Sequence, residues 1–174
     1  MISDTMQAAI NEQINAELFS AYLYMSMSAY YQSVNLPGFA NWMRVQVQEE
    51  MFHAMKFYDY MIERGGTVNL VTIDGPPTVW PDPAQPFTDA YHHEVEVTRR
   101  IYNLVSQAME ERDYATNTFL AWFVTEQVEE EANTDAVVRQ LKLISDDRSA
   151  LFIIDRELAT RVFVPPAAGA NAAG

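Results

Sequence analysis

Four glutamates constrain this chain more than any other feature. Glu17, Glu50, Glu94 and Glu130 each interrupt an otherwise apolar stripe whose members recur at three- and four-residue steps, the period of an amphipathic helix. A shared spacing links them. Glu17 and Glu94 are 77 residues apart, and so are Glu50 and Gln127, His53 and Glu130, and Glu49 and Glu126. One offset repeated this way predicts two copies of a helical hairpin, each delivering the same positions to one site.

The helix boundaries follow from capping and breaking residues. Ser3 or Thr5 caps a first helix over about 4–33, with the stripe Ile10, Ile14, Glu17, Ala21, Tyr24, Ser28. Pro37 suits the first turn of a second helix, which runs to about Arg64 and stops at Gly65-Gly66. A third is predicted from about Phe87 to Arg112, and a fourth over about 114–143 behind the cap Asp113. Ser145-Asp146-Asp147 caps a short fifth helix ending near Thr160. Residues 66–86 hold five of the eight prolines, which excludes a regular helix there. Extended, those 21 residues reach about 70 Å, whereas a 28-residue helix is only about 42 Å long. The stretch can therefore cross the whole bundle, with Val68, Leu70 and Ile73 packing on the way. The predicted fold is all-α: a four-helix bundle with a long crossover between helices two and three and a short fifth helix. Residues 1–162 form this bundle and 163–174 a flexible tail.

Measured from the hairpin turns, the paired glutamates fall within about 5 Å of one another in height, at roughly 1.5 Å per residue. A buried carboxylate must be protonated, paired or metal-bound, and no lysine or arginine occupies the inward stripes. Four carboxylates and one imidazole suit two divalent ions such as iron or manganese, and also accept zinc. Glu50 and His53 share a helix face at i,i+3 and can serve one ion together. The pattern of one Glu from each of two helices plus Glu-x-x-His from the others is a recognised metal template in bundles. Here the second Glu-x-x-His is replaced by Gln127-x-x-Glu130, so the two positions are unequal and the second ion is expected to be held more weakly.

Glu49, Glu126 and Glu129 lie beside this set and, with Glu130, offer a third cation site, or else a solvated acidic surface. Tyr24, two turns from Glu17, can hydrogen-bond a ligand, supply an electron or merely pack. Trp122 reads as packing, and His92 and His93 as surface groups. The net charge of −13 opposes nucleic-acid binding and favours cations. There is no cysteine, which removes thiolate zinc sites and cysteine-held clusters. Neither a signal peptide nor a membrane span is expected, and a cytoplasmic location is.

The segments Asn11–Leu18, Gln48–His53, Tyr91–Glu94 and Trp122–Glu131 together resemble the bacterial non-haem ferritins. The resemblance extends to about Thr160. It implies iron at a first position held by Glu17, Glu50 and His53, and at a second held by Glu50, Glu94 and Glu130 with Gln127 close by. Glu49, Glu126, Glu129 and Glu130 match the family's third iron site, and Tyr24 its central tyrosine. The implied activity is oxidation of Fe(II) by dioxygen in a hollow shell of 24 subunits, with Fe(III) stored as a ferric oxyhydroxide mineral. Two departures stand out. Asn117 and Leu120 occupy positions where many animal ferritins line a threefold pore with carboxylates. Met51 is placed like the haem-binding Met of bacterioferritin, yet the second Glu-x-x-His of that group is missing, so no haem is expected. The alternatives are a haem-containing bacterioferritin or a storage shell without its own ferroxidase activity. A rubrerythrin-like peroxidase and a DNA-protecting mini-ferritin fit less well, lacking respectively cysteines and a basic tail to match.

Overall fold

A computed structural model describes residues 2–145 and 147–165. It contains helices α1 (Asp4–Ser33), α2 (Pro37–Glu63), α3 (Gln85–Glu110), α4 (Tyr114–Ile144) and α5 (Arg148–Leu158), and no strand among the described residues. The caps are local and specific. Ser3 accepts from the Met6 amide, Asp113 from that of Thr116, and Asp147 from those of Ser149 and Ala150. Asp146 and the tail from Pro166 onward, both invoked above, lie outside the described residues. Helix α3 differs from the expectation at both ends, beginning at Gln85 and closing at Glu110. Pro86 thus belongs to its first turn, where a missing amide hydrogen costs nothing.

The crossover runs along α1 for nearly its full length. Its start is tied to the first turns of α1, where the Thr67 amide donates to Gln7 Oε1 and the Asn69 amide to Asn11 Oδ1. Its end is tied to the last turns, where Ser26 donates to the Pro77 carbonyl and Tyr31 to that of Pro83. Val68 packs on the bundle and Ile73 is half-buried, but Leu70 is exposed, contrary to expectation. Trp80 is the buried anchor instead, its indole N–H donating to Asp89 at 2.9 Å.

Two apolar clusters fill the bundle. One lies towards the α1–α2 turn and contains Met27, Tyr31, Phe39, Met43, Phe87 and Val137. The other lies towards the α3–α4 turn and contains Ile10, Phe57, Met61, Ile101, Leu120 and Phe123. On each of the four long helices the glutamate or its histidine neighbour falls between the two clusters. The interior is therefore interrupted at mid-height by a belt of buried polar side chains: Gln13, Glu17, Gln46, Glu50, His53, Glu94, Gln127 and Glu130. No lysine or arginine is buried among the described residues.

The fifth helix is locked to the second by one carboxylate. Leu36, at the start of α2, has no capping side chain. Asp155 of α5 takes that role, accepting from the Gly38 amide at 2.7 Å and the Phe39 amide at 3.1 Å. At the other end, Arg64 makes a two-pronged pair with Asp113, joining the end of α2 to the cap of α4.

Candidate metal centre

The belt brings together all five residues on which the metal reading turns. Glu17, Glu50 and His53 place ligand atoms within 4.8 Å of one another, and so do His53, Glu126 and Glu130. The imidazole stands between the two groups. Its Nδ1 lies 3.6 Å from Glu50 Oε2 and its Nε2 lies 4.0 Å from Glu126 Oε1. Trp122 and Phe123 pack edge-on against the ring, at 5.5 and 5.9 Å between centroids, and hold its plane. Burial lowers the affinity of His53 for a proton, which leaves the neutral, ligating form.

Glu94 is held differently from the other three. Tyr24 donates a hydrogen bond to its Oε1, and the Gln127 amide donates to its Oε2 at 3.2 Å. It belongs to neither three-residue group. Gln127, the replacement for the second motif's first glutamate, thus fastens Glu94. Two further glutamines orient ligands. Gln13 donates to Glu17 Oε1 at 2.8 Å, and Gln46 donates to Glu130 Oε2 at 2.9 Å. Sequence reasoning did not assign a role to either; the four-residue spacing to Glu17 was the available signal for Gln13, whereas Gln46 bonds a glutamate of another helix. Glu17 Oε2 is buried with no hydrogen-bond partner.

The electrostatics follow from crowding. Burial, then Glu94 and Glu17, push the Glu50 carboxyl far above its ordinary range. Burial and Glu130 raise Glu94 to about 8. Burial and Glu94 raise the Tyr24 phenol as well. Without a cation, the belt therefore holds protons at neutral pH, and a bound cation would release them.

The flanking acids are unequal. Glu49 and Glu126 are half-buried, and burial raises each to about 7, while Glu129 is exposed. Glu49 is ion-paired with Arg161 at 2.7 Å. His92 is exposed as expected, but His93 is not a surface group. It is half-buried between α1 and α3, with Nε2 2.7 Å from Ser20 Oγ, and burial lowers it to about 4. Helix periodicity placed it off the α3 stripe correctly; the neighbouring α1 covers that face.

Residues 7–144 match the ferritin-like domain family. The chain belongs to the ferritin family. It is 45% identical to the bacterial non-heme ferritin of Bacteroides fragilis over 161 residues, covering 92% of this chain and all of that one. It is 41% identical over 163 residues to that of Staphylococcus aureus, covering 94% and 98% of the two chains. The fold matches that of an open-pore ferritin from the hyperthermophilic archaeon Archaeoglobus fulgidus, at a TM-score of 0.92 and 52% identity, over 93% of this chain and all of that one. An engineered closed form of the same archaeal ferritin matches at a TM-score of 0.93. No helix of this ferritin, among the described residues, is long and apolar enough to cross a membrane.

Proposed function

We propose that this ferritin binds Fe(II) in its belt, oxidises it with dioxygen and stores the Fe(III) as a mineral inside a homo-oligomeric shell of 24 subunits in the cytoplasm. Glu17, Glu50 and His53 form the first iron position. Glu50, Glu94 and Glu130, with Gln127, form the second, and Glu49, Glu126, Glu129 and Glu130 the third. The observation that carries this reading is the belt itself. Four helices each bury a glutamate in this belt, with no buried lysine or arginine among the described residues to neutralise them and one oxygen of Glu17 left without a partner. Divalent ions are the compensation this donor set fits, being oxygen-rich with one nitrogen. The family supports iron as the ion.

The chain's own residues set the conditions for the reaction. Glu50 sits close enough to Glu17 and His53 to share a metal with them, and its proton leaves when a cation arrives. Gln13, Gln46 and Gln127 hold the carboxylates in place so that two ions are received without rearranging the helices. Tyr24 donates to Glu94 from within the core, close enough to supply an electron or to tune that ligand. Met51 is 41% exposed on α2, pointing away from the belt.

Stopped mixing of metal-free protein with Fe(II) in air tests the reading. Wild type should oxidise iron fast and retain it, and Glu50→Ala should slow oxidation at least about a hundredfold, as expected when a shared ligand is lost. Equal slow rates in both, with iron retained, would leave a storage shell without its own oxidase.

A further inference from the structure

The chain supplies its own cation to the third acidic cluster. Arg161 follows the end of α5, and its Nη2 donates to Glu49 Oε2 at 2.7 Å. Its guanidinium lies over the Trp42 ring, 4.2 Å from the centroid. The backbone there is clamped by Asn41, whose Nδ2 donates to the carbonyls of Leu158, Ala159 and Arg161 at 3.3, 3.3 and 3.0 Å. The two charged side chains are only 20% and 21% exposed. Arg161 Nη1 is buried and has no hydrogen-bond partner. The guanidinium is thus held tightly at Glu49 while leaving one donor unmet.

We propose that Arg161 is a tethered competitor for the cluster of Glu49, Glu126, Glu129 and Glu130: it holds Glu49 while the cluster lacks a metal ion and yields it when one binds. The inference rests on the reading of this cluster as the third iron position. A carboxylate oxygen engaged by a guanidinium is not available to a metal, and a fixed positive charge one hydrogen bond away opposes a divalent ion in a partly dry setting. Tethering matters because the guanidinium cannot diffuse off; the Asn41 clamp and the Trp42 stack keep its local concentration high. Lys56 is a second cation near the cluster. It sits over the Trp122 ring, 4.7 Å from the centroid, and forms no ion pair with Glu126, so of the two cations it is Arg161 that engages a ligand oxygen. The consequence is a coupling. Occupancy of the cluster and docking of residues 159–161 on α2 oppose one another, and by reciprocity each weakens the other. The third position is thereby kept weak.

The test is anaerobic calorimetric titration of the assembled, metal-free protein with Zn(II), a redox-silent probe, and with Fe(II). In Arg161→Gln the weakest binding event should tighten about tenfold, while the two tighter events stay within twofold. Asn41→Ala keeps both charges and should tighten the same event by a smaller factor, and it carries the test if Arg161→Gln does not assemble. In wild type, hydrogen exchange at residues 158–164 should speed up once Zn(II) fills the weakest site. Three events with unchanged affinities and unchanged exchange would overturn the competitor role and leave Arg161 as a structural tie. Only two events in every variant would overturn the third-site reading, and this inference with it.

Discussion

Glu94 shows how a single residue couples stability to the ion it waits for. Burial and Glu130 raise it from an ordinary 4.5 to about 8, so the folded metal-free protein holds a proton that the unfolded chain releases near 4.5. The stabilising contribution is full below pH 4.5 and fades as the pH rises towards 8. Melting temperature of the metal-free protein should therefore fall between about pH 5 and 8, less steeply in Glu94→Gln, and Zn(II) should restore it at pH 8. A melting temperature that rises over that window would contradict the assignment. Gln127 bears on the same ligand: its amide donates to Glu94 Oε2 from the position where a second Glu-x-x-His would begin. Calorimetry on wild type should resolve two unequal belt events, because Gln127-x-x-Glu130 stands where a second Glu-x-x-His would and His53 serves the first position alone; equal affinities would remove the asymmetry.

At the scale of elements, α5 is tied to α2 by a buried carboxylate. Asp155 caps α2 through the Gly38 and Phe39 amides, and the fit leaves no room for a side chain at residue 38. A Cβ built on Gly38 would lie 1.6 Å from the Asp155 carbonyl oxygen, which is backbone and cannot step aside. Gly38→Ala should undock α5, cost about 2–4 kcal/mol in denaturant unfolding and leave Fe(II) oxidation in the belt largely intact. Wild-type stability in that variant would mean α5 contributes little. The crossover was legible only in part. Its proline content excluded a helix, and its reach permitted a full crossing. Which residues anchor it was not legible, because an irregular chain has no period: Trp80 is buried and Leu70 is not.

For the whole molecule, the outer face of α5 is an apolar surface that a single chain leaves exposed. Phe152 and Ile153 are 62% and 68% exposed on an eleven-residue helix. In a shell of identical subunits such a face is buried against copies of itself. Replacing both by aspartate should lower the sedimentation coefficient from that of a large assembly to that of small oligomers, with helical content by circular dichroism unchanged. Retention of the full assembly would exclude this face as a subunit contact.

The parts that obey a period or a local rule were legible in the residues before any fold was known. Helix number, the capping residues Ser3 and Asp113, the inward stripes and the four belt glutamates all follow from 3.6-residue geometry and from the cost of burying charge. Membership of the ferritin family was legible in the same residues. Tertiary structure decided what depends on a neighbouring helix. It buried His93 beneath α1, set Gln46 on Glu130 of another helix, and set Arg161 on Glu49 from 112 residues away along the chain. None of these has a sequence signature, because each is a side-chain hydrogen bond whose partner is chosen by packing angle and burial rather than by spacing along the chain.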